Sequence, residues 1–314
     1  MPAASTNAFA GPSANHAARA VLALLGGNVL LAFGPWFVRL ADVGPIASAF
    51  WRLALAAPIL LGATLAMRQM PRRLSGGMWV LLIGGGIFFA ADLAAWHLGI
   101  HFTKLANATL FGNATSLLFP VWGFLVARAW PNRWQATALL LAALGAALLM
   151  GRSYELSADN LAGDLLCALA GLFYTIYFIL MSRARDTLAP LPTLTLSTLA
   201  GIPALAIAVP LMGEHFVGST WWPLIALALC SQVLGQGLMI YALGHLTPLV
   251  IGVALLTQPV VAGTIGWIAY GETLGPLDFT GALLVGIALV LVRRESAPAP
   301  QQLEPAGAEE DKAA

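Results

Sequence analysis

The sequence predicts an all-α integral membrane protein of ten transmembrane helices, built as two inverted five-helix repeats. Hydrophobic residues make up 59% of the 314-residue chain and charged residues only 9%. A water-soluble domain carries roughly 25% charged residues, so this composition cannot cover a soluble surface. The apolar stretches run for about 20 residues, which is the length that a helix needs to cross the hydrocarbon core.

Charged residues and clusters of Pro, Gly and Asn divide the chain into ten apolar segments. The predicted spans cover residues 18–40, 44–66, 77–98, 104–128, 134–151, 161–183, 190–212, 221–243, 248–270 and 277–293. These runs are too long and unbroken for the alternating strands of an outer-membrane barrel. A flexible segment is expected at 1–17. A disordered tail is expected at 295–314, because its Pro-, Ala- and Glu-rich sequence cannot bury a core.

The basic residues predict the orientation in the membrane. With ten spans, one side carries most of the arginines: Arg19, Arg68, Arg72, Arg73, Arg128, Arg133, Arg183, Arg185, Arg293 and Arg294. The other side carries only Arg39, Lys104 and Arg152. Since short cytoplasmic loops are enriched in Lys and Arg, both termini are expected in the cytoplasm, in a multi-pass protein of the cell inner (plasma) membrane.

The two halves of the chain resemble each other. At a shift of 139 residues, Phe102 corresponds to Tyr241 and Pro120 to Pro259. The sequence ALLLAALGAALLMGR at 138–152 resembles GALLVGIALVLVRR at 281–294. This predicts one five-helix repeat at 18–151 and a second at 161–294. An odd number of helices inverts the second copy, as in many secondary transporters with a binding site near the midplane.

Several segments resemble a known family. They are GGNVLLAFGPWFVRL near the start, SAFWRLALAAPIL with Arg52, LLTQPVVAGTIGWIAYGE with Pro259, and GETLGPLDFTGALLVGIALVLV with Glu272 in a Gly-Glu turn. In their order and spacing they resemble the EamA-type members of the drug/metabolite transporter superfamily, over about 20–294. The first half departs from the pattern, because ARAWPNRWQ (127–135) replaces the Glu turn. The departure favours a structural role for that motif.

The resemblance implies a ten-helix exporter of amino acids or related metabolites, and aromatic amino acid exporters are among the family's members. It implies no enzyme activity and no cofactor. The expected partners are a small-molecule substrate and the lipid bilayer, with the chain as a monomer or homodimer. No ATP-binding motif is present, so transport is expected to be facilitated or driven by an ion gradient, by alternating access of the two halves.

Polar side chains inside the spans predict the binding cavity. Such groups are costly in hydrocarbon and usually face the bundle interior. The predicted cavity residues are Asn28, Trp36, Asp92, Trp96, His97, Asn113, Ser116, Tyr174, Tyr177, Gln232, Gln236 and Gln258. They lie on spans 1, 3, 4, 6, 8 and 9. Spans 5 and 10 are nearly devoid of polar groups and are expected to face lipid or another subunit.

Amides and hydroxyls beside Trp and Tyr suit a zwitterion with an aromatic or large apolar side chain. Asp92, the only carboxylate deep in a span, is interpreted either as a protonatable or ammonium-binding group or as a structural carboxylate. His97 fits an interfacial position as well as the cavity. Arg52 is interpreted either as a group that pairs with an acidic residue or binds a substrate carboxylate, or as a structural residue. Its position two turns into span 2 favours the structural role, with the side chain snorkelling to the outer interface.

Other functions are less consistent with the sequence. A cationic drug or a nucleoside on the same fold is the main alternative cargo, with Asp92 as the group that a cation needs. An intramembrane enzyme needs paired Asp residues or an HExxH motif, and the chain has neither. The net charge of +1 gives no reason to expect nucleic acid, and the two cysteines, Cys167 and Cys230, lack metal-ligand spacing, so no metal is expected.

Overall fold

The computed structural model describes residues 14–103, 108, 111–151, 161–270 and 275–296. Across these ranges the chain is helical, with no strand. Six helices are long and apolar enough to cross a membrane: Ala18–Leu40, Pro45–Ala66, Gly76–Phe102, Leu161–Arg185, Pro190–Leu211 and Trp222–Leu243. Four shorter apolar helices accompany them: Thr115–Ala127, Arg133–Leu148, Pro248–Val261 and Phe279–Val292. The protein is therefore a helical, multi-pass membrane protein.

In chain order the helices are α1 (Ala14–Ala32), α2 (Gly34–Leu40), α3 (Pro45–Ala66), α4 (Gly76–Phe102), α5 (Thr115–Ala127), α6 (Arg133–Gly151), α7 (Leu161–Arg185), α8 (Pro190–Leu211), α9 (Trp222–Ala226), a π-helix (Leu227–Gly235), α10 (Gln236–Leu243), α11 (Pro248–Leu255), α12 (Thr257–Tyr270) and α13 (Pro276–Ser296). The first helix begins at Ala14, four residues before the predicted first span. The tail expected at 295–314 lies outside the described residues beyond Ser296.

Proline interrupts two of the apolar segments near their middle. The first segment breaks at Phe33 between α1 and α2, and Pro35 has no N–H to donate to the Leu31 carbonyl. The ninth breaks at Leu256 between α11 and α12, and Pro259 likewise cannot donate to Leu255. Irregular backbone at membrane depth is tolerated where it is buried in protein or lines a cavity. The two breaks therefore mark where such a cavity is expected.

The eighth segment contains a π-helix, Leu227–Gly235, between α9 and α10. A π-segment inserts residues into the helical repeat and changes which side chains share a face, and it occurs frequently at functional sites. Ser231 and Gln232 lie within it, and Gln236 follows it directly. The two glutamines meet different partners, because Gln232 bonds to Arg52 and Gln236 bonds to Tyr174.

Packing between the first and second halves of the chain holds the bundle together. Helix α3 packs on α8, α5 on α11, and α6 on α13. Helix α4 packs on both α7 and α8, while α1 and α3 pack on the π-helix. Glycines allow the closest approaches: Gly86 of α4 meets the backbone of Gly201 in α8, and Gly145 of α6 meets Gly281 in α13.

Helices α6 and α13 form a peripheral pair. Each packs mainly on the other, and Leu140, Leu144 and Leu283 remain exposed on them. Exposed leucines in such number on two adjacent helices form an apolar surface that fits lipid or another subunit. This is the placement expected for the segments without polar side chains.

Three carboxylates link the halves at one end of the bundle, called here the acidic end (Asp42, Asp164 and Glu214). The Glu214 carboxylate accepts hydrogen bonds from the backbone N–H groups of Ile46 (3.2 Å) and Ala47 (2.8 Å), at the start of α3. A carboxylate there satisfies N–H groups that have no partner within the helix and interacts favourably with the helix dipole. The opposite end, which carries Arg68, Arg128 and Arg185, is called the arginine end.

Asp42 fastens the loop before α9 in the same way. Its carboxylate accepts from the Ser219 hydroxyl, from Ser219 N (2.7 Å) and from Thr220 N (3.0 Å). The Ser219 hydroxyl is the largest cause that keeps the pKa of Asp42 below its usual value, and the two backbone N–H groups add to it.

This lowered pKa predicts a pH dependence of stability. Because the folded-state pKa of Asp42 lies below the unfolded one, its contribution is present above the unfolded pKa and is lost as the pH falls through the folded pKa. We expect Asp42→Asn to melt below the wild type at pH 7, and the difference to shrink as the pH falls below about 4, the ordinary pKa of an Asp side chain. Melting of both proteins in detergent from pH 7 to pH 3 measures this. A difference that stays constant over this range contradicts the prediction.

Candidate functional site: a polar cavity between the halves

A cavity of about 110 Å³ lies beside both helix breaks. Its lining combines two charged side chains with amides, hydroxyls, aromatic rings and aliphatic groups: Leu31, Ala32, Gly34, Pro35, Arg52, Phe89, Asp92, Leu93, Trp96, Gly112, Asn113, Thr115, Tyr174, Leu255 and Gln258. The lining comes from both halves of the chain, and none of it comes from α6 or α13. Discontinuous helices at such a site are typical of secondary transporters.

Arg52 is the cationic group of the cavity. Its side chain is only 6% exposed, so it points into the protein and does not snorkel as the sequence favours. Its Nε donates to Gln232 Oε1 at 3.2 Å, and Gln232 Nε2 donates to Thr198 Oγ1 at 3.0 Å. The guanidinium lies 5.6 Å from the centre of the Phe89 ring. These contacts hold the side chain in place at the cavity, which it lines.

Asp92 is the anionic group of the same cavity. Its carboxylate is near enough to Arg52 for the two charges to interact. Within the described part of the chain, however, Asp92 forms neither a hydrogen bond nor a direct ion pair. A carboxylate and a guanidinium that share a cavity without pairing are both available to a bound molecule.

Aromatic rings form the wall beside these charges. Trp96 lies one helical turn from Asp92, and its Nε1 lies against Gly112, where an added Cβ would stand only 2.9 Å away. Tyr174 also lines the cavity, from α7, and its hydroxyl donates to Gln236 Oε1 at 3.2 Å. Aromatic rings and aliphatic side chains thus both line the cavity.

Amides stabilise the break between α11 and α12. Asn28 Nδ2 donates to the Ala254 carbonyl at 3.0 Å, and the Thr257 hydroxyl donates to the same oxygen at 2.7 Å. Gln258 Nε2 in turn donates to Asn28 Oδ1 at 2.8 Å. Asn28 therefore replaces a hydrogen bond that the interrupted helix lacks, and it positions Gln258, which lines the cavity.

The remaining predicted residues surround the cavity without lining it. His97 is fully buried, and its Nδ1 lies 2.9 Å from both Ser48 Oγ and the Pro45 carbonyl. Trp36 packs on Phe37, and Ser116 is buried where Gly252 crosses α5. Thus Asp92, Trp96, Asn113, Tyr174 and Gln258 line the cavity. Asn28, Gln232 and Gln236 bond to lining groups from behind, and Trp36, His97, Ser116 and Tyr177 lie farther back.

Arg52, Phe89 and Thr115 line the cavity but are not among the residues that the sequence predicts to line it. Arg52 had a usable signal, because it is the one charged residue within its span and Asp92 is the one carboxylate deep in another. Phe89 had none, because a Phe in a membrane helix is ordinarily lipid-facing or core. No cluster of three or more His, Cys, Asp or Glu suited to a metal ion occurs among the described residues.

Apolar helices around a polar cavity, with two of the apolar segments broken beside it, are typical of membrane transporter proteins. The comparisons agree with this class. The EamA-like transporter family matches the chain twice, over residues 18–151 and 161–294, and the chain belongs to this family.

A curated relative and a solved structure are also similar. An "Uncharacterized transporter" of Archaeoglobus fulgidus is 24% identical over 147 residues, 46% of this chain. The match spans half the length of that relative. A crystal structure of a protein 16% identical in sequence superposes with a TM-score of 0.74, covering 89% of this chain and 99% of the other. At this identity the superposition shows a shared fold alone.

Proposed function

We propose that this protein is a ten-helix transporter that moves small zwitterionic metabolites, most simply amino acids, by alternating access of two inverted five-helix halves. The proposal depends on Arg52 and Asp92, which line one cavity and form no direct ion pair with each other in the part of the chain that the structure describes. An amino acid presents a carboxylate and an ammonium group on the same carbon. Arg52 binds the former and Asp92 the latter, each by charge-assisted hydrogen bonds.

The packing of the helices supports the inverted repeat. Exchange of the two halves relates the contact between α4 and α7 to the contact that the π-helix and α10 make with α1. It also relates the contact between α4 and α8 to the contact between the π-helix and α3. The pairs α3–α8, α5–α11 and α6–α13 correspond to themselves. Each main contact between the halves thus has a counterpart, as a pseudo-two-fold axis between inverted copies requires. The arginines at one end favour cytoplasmic termini in the inner membrane.

The cavity volume bears on the cargo's side chain. About 110 Å³ is below the roughly 300–1,000 Å³ of pockets that enclose a drug-sized ligand. In this conformation the cavity accommodates an amino acid head group with a small or aliphatic side chain beside Leu31, Leu93 and Leu255. The preference for aromatic side chains that the sequence suggests requires the cavity to widen at Trp96 and Tyr174.

Cationic drugs are the second candidate cargo, because Asp92 offers a carboxylate beside aromatic rings. A buried Arg52 next to that carboxylate opposes a lone cation, since it adds like-charge repulsion. Nucleosides would use the amides of Asn113 and Gln258 and leave both charges uncompensated. The zwitterion satisfies both charges at once.

Counterflow into proteoliposomes tests the cargo. Vesicles preloaded with unlabelled leucine are expected to accumulate labelled leucine and alanine above protein-free vesicles. Labelled tetraethylammonium and uridine are expected not to accumulate in vesicles preloaded with the same compound. Export of quaternary amines with no exchange of amino acids contradicts the proposal. Repeating the assay with an imposed pH gradient separates facilitated exchange from proton coupling.

A further inference from the structure

Two polar atoms near the cavity are buried without a partner. Among the described residues, neither the Tyr177 hydroxyl nor Gln236 Nε2 has a hydrogen bond, and both side chains are completely buried. The Tyr177 hydroxyl lies close to the side chains of Gln236 and Ser197 but is not in hydrogen-bonding geometry with either. Unpaired buried groups are rare and costly, so a pair of them in one place requires an explanation.

These atoms continue the polar lining beyond the cavity. Tyr174 lines the cavity and donates to one amide atom of Gln236. The other amide atom of Gln236 is the unpaired one, and Tyr177 and Ser197 lie beyond it. We call Tyr177, Ser197 and Gln236 the closed polar cluster. It lies one turn farther along α7 toward the arginine end than Tyr174 does.

The repeat relates this cluster to the cavity. The family matches cover residues 18–151 and 161–294, so that the first span, which contains Gly34, corresponds to the sixth, which contains Tyr177. Helices α3 and α8 both begin with a proline, Pro45 and Pro190, so that Arg52 corresponds to Ser197. In the first half these positions line the cavity. Their counterparts in the second half are packed shut.

Aromatic stacking and a glycine contact keep the cluster closed. The Phe89 and Tyr177 rings stack at 4.6 Å, and Tyr174 packs on Phe178 at 4.3 Å. On the other side, Gly86 of α4 lies so near the Ser197 carbonyl that an added Cβ would stand 2.4 Å from it. Separation of α4 from α7 and α8 would open the cluster toward the arginine end.

We infer that the closed polar cluster is a second cargo site, which forms when the protein closes around the present cavity and opens at the other end. The inference rests on the proposed function. The groups of the closed polar cluster are neutral hydroxyls and an amide, so its hydrogen bonds to the head group of the same zwitterion carry a charge on the cargo side alone. Because Arg52 and Asp92 add a charge on the protein side, the cargo binds more weakly here than between those two residues.

Labelling of an introduced thiol tests the site. In a background with Cys167→Ala and Cys230→Ala, Ser197→Cys reports opening, and Thr195→Cys is the control. Thr195 is fully buried on the same helix but bonds to Thr64 on α3. The Tyr177 hydroxyl lacks a hydrogen bond when the cluster is closed and gains one when the cluster opens. Tyr177→Phe removes this hydroxyl and therefore favours the closed state over the open one. We expect it to slow labelling of Ser197→Cys by a polar methanethiosulfonate about five- to a hundredfold and to leave Thr195→Cys unchanged.

Equal slowing at both positions, or no slowing at Ser197→Cys, overturns the inference, because either result makes Tyr177 an ordinary core residue. Gln236→Met removes the other unpaired group and is expected to slow labelling of Ser197→Cys alone. Leucine is expected to slow that labelling in the protein with Tyr177, because it binds more tightly to the present conformation, in which the cluster is closed. If leucine has no effect while Tyr177→Phe acts as expected, the amino acid cargo is wrong and the second site stands.

Discussion

Asp92→Asn is expected to raise the leucine concentration that half-saturates transport by about ten- to a hundredfold, because a hydrogen bond to a charged group contributes about 1.5–3 kcal/mol. The carboxylate has no partner among the described residues, so its loss affects the cargo more than the fold. Asp186→Asn, an exposed carboxylate after α7, is the matched control and is expected to transport as the wild type does.

Cargo analogues make this prediction specific. Leucine carries both charged groups, 4-methylpentanoate only the carboxylate, and isopentylamine only the ammonium. Asp92→Asn should lose the preference for leucine over 4-methylpentanoate, and Arg52→Gln the preference for leucine over isopentylamine. Arg52→Lys retains the charge and is expected to fall between Arg52→Gln and the wild type. If each variant weakens all three compounds equally, the two residues do not recognise the two groups.

Gly86→Ala is expected to destabilise the protein by about 1–3 kcal/mol, because a methyl group at this helix crossing must displace backbone. An added Cβ would lie 2.4 Å from the Ser197 carbonyl and 2.9 Å from Gly201 N, and neither atom can move without moving α8. Gly84→Ala, on the same helix, is the control. Its nearest neighbour is the flexible end of Leu180, at 3.4 Å.

Thermal unfolding in detergent measures both variants. A loss of 1–3 kcal/mol corresponds to a melting temperature lower by several degrees in a chain of this size. The control is expected to melt at or above the wild type, because Ala is the better helix former. Equal melting of Gly86→Ala and Gly84→Ala would show that α4 and α8 are not tightly packed at this crossing.

The predicted cavity residues illustrate how far a sequence pattern reaches. Asp92 and Trp96 could be predicted from the sequence, because polar and amphipathic side chains are costly in hydrocarbon and usually face the bundle interior. Both line the cavity. Gln232 and Gln236 were selected by the same rule but stand behind Arg52 and Tyr174. The π-helix changes the directions in which the side chains of that segment point, and no residue type in the segment predicts a π-helix. Polarity therefore identifies the helices of the site more reliably than the side chains that face it.

Arg52 lines the cavity although the sequence leaves the direction of its side chain open. Its position two turns into a span is compatible with snorkelling or with burial, and the length of the side chain permits both. Its direction is decided by the partners that the second half supplies, Gln232 and, through it, Thr198. These lie about 150 to 180 residues away in the chain, as the separation of 180 between Arg52 and Gln232 indicates. No local sequence pattern predicts a partner that is so distant in the chain.

The sequence by itself determined that this is a helical membrane protein, because a chain with so few charges must satisfy its backbone hydrogen bonds within helices in lipid. Its resemblance to the EamA-type family implied a transporter. Only the tertiary structure decided that Arg52 and Asp92 face one cavity and that Tyr177 and Gln236 are shut away from it. The rotation of each helix about its axis, the breaks at Phe33 and Leu256 and the crossing at Gly86 fix those directions, and each depends on contacts between the two halves.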